Sequence, residues 1–232
     1  VAPAISDRHV VKVLRPFVRA ARPVVTAMRT PGRLDGLSGK RLPGTPAWSQ
    51  LTIDERTRWW INRVGRLTAL VTAIPGIGGA LADRLPVQDA IGASAQGVLL
   101  CAIADEHGVD DIGERVRLIA WVLFGREIDP SLAAGVQDDE DTEAEKLAGE
   151  FSEPAERTKR ISLKAAAGAL WRMGRSLLAI SGELDKRPHG RFFHRMVGAL
   201  PVVGMAGDYL GERNGLKRVA KRSTRWLSAS RT

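Results

Sequence analysis

The chain holds one cysteine, one tyrosine and no apolar run long enough to cross a bilayer, and each shortage removes a class of protein. The lone thiol, Cys101, forms no internal disulfide, so a disulfide-stapled secreted scaffold is excluded and a reducing compartment is expected. Cys101 sits among Val98, Leu99, Leu100 and Ile103, where a small core residue is expected rather than a nucleophile. The uncharged stretches Leu67–Ala82, Ala90–Ala104 and Met196–Gly207 all fall short of the roughly 20 residues that a spanning helix needs. Proline and glycine interrupt the first and the third. No alternating pattern of useful strand length occurs. No uninterrupted apolar segment followed by a cleavage site marks a secretory signal.

Catalytic signatures are also scarce. No P-loop occurs and no glycine-rich turn follows a strand, so no nucleotide fingerprint is present and no cofactor is expected. His9, His107, His189 and His194 are scattered, and the last two are five apart where helical metal ligands prefer four. Ser94 and Ser181 lack the context of an activated nucleophile. Glu106, His107, Asp110 and Asp111 come nearest to an acid–base cluster. They fall where one helix ends and the next is capped, so capping accounts for Asp110 and Asp111. An enzyme using the Glu106–Asp111 region remains a third reading, and no catalytic residue is assigned.

What the chain does have is positive charge: 35 Lys and Arg against 26 Asp and Glu, a net +9 over 232 residues. Such an excess points to an anionic partner. The cations are patterned. Arg8, Lys12, Arg15, Arg19, Arg22 and Arg29 recur at helical spacing and form one basic stripe, with Val10, Leu14, Phe17, Ala21, Val24, Val25 and Met28 opposite. Pro16 and Pro23 are expected to kink this helix. A solvated charged face over a core-packed helix and an interfacial helix on anionic lipid both fit the pattern. Near the other end, Arg213, Lys217, Arg218, Lys221, Arg222 and Arg225 fill one side of a second helix. Leu216, Val219, Ala220, Trp226 and Leu227 fill the other, and Trp226 is the kind of ring that settles at headgroup level.

The organisation reads as an all-α fold in four segments. Residues 1–48 form a basic amphipathic segment and a Pro/Gly-rich linker. Residues 49–136 form a helical half, opened by the capping box of Thr52 and Glu55 and containing a helix from about Val87 to His107 that Gly108 stops. Residues 137–157 are an acidic flexible linker, or an internal counter-charge folded back on the basic ends. Residues 158–232 form a second helical half with the basic helix.

Each half carries a broken apolar hairpin. Ile74-Pro75-Gly76-Ile77-Gly78-Gly79-Ala80 aligns with Leu200-Pro201-Val202-Val203-Gly204-Met205-Ala206 as aliphatic, Pro, x, aliphatic, Gly, x, Ala. Pro75, Gly76, Gly78, Pro201 and Gly204 are the structural hairpin residues, and their correspondence opens the reading of an internal duplication. Small residues four apart, such as Ala93 and Gly97, are expected to seat one helix against another.

On these residues the chain resembles the EcsC-like family. Ala73–Gly125 is similar to that family's first block, with the Ile-Pro-Gly-x-Gly breaker, a small-residue helix and the ending Ala104-Asp-Glu-His-Gly-Val-Asp110. His107 stands where the family usually has tyrosine. Ala199–Trp226 is similar to the closing block, with Leu-Pro-Val-Val-Gly, Asn214 and a basic helix. The resemblance implies a helical, membrane-linked protein and names no reaction and no catalytic residue. The expectation is a non-catalytic accessory protein at an anionic membrane surface or membrane protein complex, cytoplasmic and at the inner face of the cell membrane. A basic nucleic-acid-binding protein is the alternative.

Overall fold

The computed structural model describes residues 6–29, 42–72, 87–135, 139–152, 163–184 and 204–229. Its helices are α1 (Asp7–Arg29), α2 (Pro46–Ser49), α3 (Ile53–Thr72), α4 (Val87–Glu106), α5 (Ile112–Phe124), α6 (Pro130–Ala134), α7 (Glu140–Ala148), α8 (Leu163–Leu184) and α9 (Gly204–Ala229). A short 3-10 turn, Gly149–Ser152, follows α7. No strand occurs among the described residues, and the fold is all-α.

Helix α4 lies at the centre because its stretch from Ala90 to Ala104 carries no charge. From Ala90 to Ala104 only Gly92 and Gln96 escape burial, and a helix that is apolar on every side belongs in the interior. It packs against α1, α3, α5, α8 and α9. Small residues let those neighbours approach. Gly97 receives the ring of Phe17 from α1, and the backbone of α8 at Gly174 rests on the Ala90 carbonyl; a Cβ at either glycine would overlap its neighbour.

Helix ends follow local chemistry. The Thr52 amide donates to the Glu55 carboxylate at 2.9 Å and the Glu55 amide to the Thr52 hydroxyl at 3.3 Å, which is the expected capping box. Gly108 (φ +69°) follows the end of α4, and Asp111 caps α5 by accepting from the Glu114 amide at 2.8 Å. At the far end of α5, Gly125 takes a left-handed conformation (φ +63°). Its amide donates to the Trp121 carbonyl and that of Arg126 to the Ala120 carbonyl, both at 3.1 Å, the paired bonds of a Schellman ending.

Two segment expectations change. Residues 1–48 do not stand apart, because α1 is built into the core against α4, α5, α7 and α8, and it runs as one helix through Pro16 and Pro23. Residues 137–157 are not a flexible linker over Glu140–Ser152. That stretch is α7 and the 3-10 turn, with Ala144, Ala148 and Phe151 buried in the same core. Apolar burial along Ala144, Ala148 and Phe151 holds the acidic helix down while its charged side faces α1 or water. Pro75, Gly76, Gly78 and Pro201 lie outside the described residues, and Gly204 opens α9.

Candidate anion-binding surface

The six cations of α1 divide between two fates. Arg8, Lys12 and Arg22 are exposed. Arg15 is only 3% exposed, and its Nε donates to the Glu140 carboxylate at 2.7 Å. Arg19 pairs with Glu140 as well, and with Asp141 at 2.8 Å. Arg29 reaches Asp105 at 3.1 Å and Glu106 at 3.5 Å, and its guanidinium lies over the Trp60 ring. The acidic segment is thus an internal counter-charge for Arg15 and Arg19. Of these two expected anion-binding residues, Arg15 is buried and Arg19 part-exposed, and each places its guanidinium against a carboxylate of α7.

At the end of α4, Asp105 and Glu106 are likewise engaged by arginines. Glu106 accepts from the Trp60 indole at 3.0 Å and is approached by Arg29 and Arg56, each at 3.5 Å. Buried Arg115 pairs with Asp105 and donates from Nε to the Val109 carbonyl at 2.8 Å. These contacts tie the end of α4 to α1, α3 and α5. Carboxylates held this way act as ion-pair anchors between helices. Beside them, an open cleft of about 540 Å³ lies between α1, the start of α5 and α7, where Arg19, Arg22 and Arg115 alternate with Asp110, Asp141 and Glu145. Its mixed charge selects no sign of ligand. Among the described residues no His, Cys, Asp and Glu cluster could hold a metal ion; His189 and His194 lie outside them.

Helix α9 differs. Its buried side is Gly215, Leu216, Val219, Ala220, Ser223 and Leu227, packed against α3, α4 and α5. Lys217, Arg218, Lys221 and Arg225 are exposed and have no ion-pair partner among the described residues. No acidic residue occurs from Asn214 to Ala229. At 3.6 residues per turn these four fan over the outer face, while Arg222 and Trp226 fall along the edge toward α5. The side chain of Arg213 lies outside the described residues.

A reciprocal clasp fixes that rotation. Arg117-x-x-x-Trp121 on α5 meets Arg222-x-x-x-Trp226 on α9 in antiparallel register, so each guanidinium covers the other helix's ring. Arg222 lies 5.0 Å from the Trp121 centroid and Arg117 lies 5.7 Å from that of Trp226. Arg222 also donates to the Trp121 carbonyl at 3.3 Å. Burial in this groove lowers the Arg222 pKa, and the like charge of Arg225 lowers it further. Trp226, expected as a headgroup-level ring, is half-buried in the clasp. The sequence reading missed Arg117 and Trp121 as its partners. The repeated Arg-x-x-x-Trp spacing was the available signal, since it puts cation and ring on one helical face.

No helix among the described residues is long and apolar enough to cross a membrane. Comparison of the chain with family models, curated proteins and solved structures finds no match.

Proposed function

We propose that the protein is a non-catalytic accessory at the inner face of the cell membrane, the membrane link being what the EcsC-like resemblance implies, and that it binds an anionic membrane surface through α9. One observation carries this reading: Lys217, Arg218, Lys221 and Arg225 form an exposed face with no carboxylate paired to it among the described residues. On α1, by contrast, Arg15, Arg19 and Arg29 are spent on internal partners, and only Arg8, Lys12 and Arg22 are exposed. A face left uncompensated is complementary to a sheet of headgroup phosphates. Each such cation contributes about 1 kcal/mol at an anionic leaflet, so four supply roughly 4 kcal/mol, close to a thousand-fold in partitioning.

Flotation with phosphatidylglycerol and with phosphatidylcholine vesicles at low salt tests the reading. Binding to the first alone supports it. Equal binding to both, or none to either, overturns it. The nucleic-acid alternative rests on the same cations, and retardation of DNA or RNA without vesicle binding would replace the membrane reading with it.

A further inference from the structure

The four exposed cations of α9 border a set of half-buried rings. Helix α5 has no exposed position. Its outermost line is Glu114, Arg117, Trp121 and Phe124, all part-exposed, with Glu114 and Arg117 paired at 2.8 Å. Trp226 of α9 adjoins this line through the clasp, and Arg218, Arg222 and Arg225 follow round α9 from the same edge. The outer surface therefore passes from aromatic rings to clasped guanidiniums to free cations over two adjacent helices.

We propose that this α5–α9 edge is where the protein seats into a lipid surface, with Trp121, Phe124 and Trp226 at the headgroup–acyl boundary and Lys217, Arg218, Lys221 and Arg225 on the phosphates. The proposal rests on the anionic-membrane reading and adds which face enters and by what chemistry. Two properties select lipid as the occupant. The charge of the exposed cations favours an anionic partner, and indole rings with apolar bodies and polar edges favour the boundary between water and acyl chains. The clasp serves both states. Away from lipid, Arg117 and Arg222 cover the ring faces. Against lipid, the same guanidiniums reach phosphates while the rings stay seated, since arginine both stacks on aromatics and binds phosphate through its planar fork.

The test is tryptophan fluorescence of the full chain with phosphatidylglycerol vesicles containing a phospholipid brominated near the glycerol end of its acyl chains. Wild type should be quenched. In the Trp121→Phe/Trp226→Phe variant, quenching per vesicle-bound molecule, with the bound fraction read by flotation, should be lost, because Trp48, Trp59, Trp60 and Trp171 lie elsewhere. Circular dichroism of the variant checks its fold, and either Trp→Phe single variant retaining part of the quenching gives the same readout if the double variant unfolds. Binding without quenching, or undiminished quenching in the folded variant, overturns this proposal and leaves the charge-based reading standing. Failure to bind phosphatidylglycerol vesicles at all overturns both.

Discussion

Replacing Glu140 by glutamine keeps the shape of the side chain and removes the charge that Arg15 is buried against. The two side chains are 2% and 4% exposed and meet at 2.7 Å, while Arg19 shares the same carboxylate. Breaking a buried pair from one side costs about 3–5 kcal/mol, because a desolvated charge is left uncompensated. Glutamine still offers Arg15 a neutral acceptor and Arg19 keeps Asp141, so Glu140→Gln should cost about 3 kcal/mol, at the lower end of that range. The exposed pair Lys146–Glu143, with side chains 64% and 52% exposed, is the internal control. Glu143→Gln should change stability by less than about 1 kcal/mol. Replacing both members of the buried pair, as Arg15→Met/Glu140→Leu, should restore most of the loss, since no orphaned charge remains. Urea denaturation followed by far-UV circular dichroism reads all three. If Glu140→Gln falls within about 0.5 kcal/mol of wild type, as a surface pair would, the assignment of α7 to the core is wrong.

Gly174→Ala places a methyl on the Ala90 carbonyl, backbone against backbone, and should destabilise by about 1–3 kcal/mol despite alanine's better helix propensity; an unchanged urea midpoint would contradict the close α4–α8 approach. Burial pushes the Cys101 thiol up to about 12, with Arg115 pulling it down and Asp105 raising it again. Native protein at neutral pH should therefore resist thiol reagents that label it fully in denaturant, and rapid native labelling would refute its burial. Because the folded state holds this proton longer than the unfolded state, Cys101 lowers stability as pH rises from about 9, by roughly 1.4 kcal/mol per pH unit until the folded group titrates. Cys101→Ala should reduce that alkaline slope, and an identical pH dependence would count against the shift.

Much of the architecture was legible in the sequence because its causes are local. Thr52 with Glu55, Asp111 with Glu114, and Gly125 after α5 each mark a helix end within a few residues, and the unbroken apolar run of α4 announced its place inside. What the sequence could not show was which carboxylate meets which cation. Periodicity placed Arg15 and Arg19 on one stripe with Arg8 and Lys12, but it cannot say whether a stripe meets water or another helix. The partner of Arg15 lies 125 residues away in an acidic run whose members look alike. The signal within that run was spacing: Glu140, Ala144 and Ala148 fall four apart, so the buried glutamate lies in line with the apolar positions. On α9 the pattern was read correctly as two-sided, yet Trp226 is held by Arg117, a partner on another element. Local order is written locally, whereas the division of cations into paired and free is settled only by tertiary packing.

On that division rests the proposal that α9, and not the half-paired stripe of α1, is the anion-binding element. Its most direct test is the variant Lys217→Glu/Arg218→Glu/Lys221→Glu/Arg225→Glu, floated with phosphatidylglycerol vesicles at low salt beside Arg8→Glu/Lys12→Glu, with urea midpoints confirming that both variants are folded. The α9 variant should lose binding and the α1 variant should keep most of it. Retention of binding by the folded α9 variant, or its loss only in the α1 variant, would contradict the account.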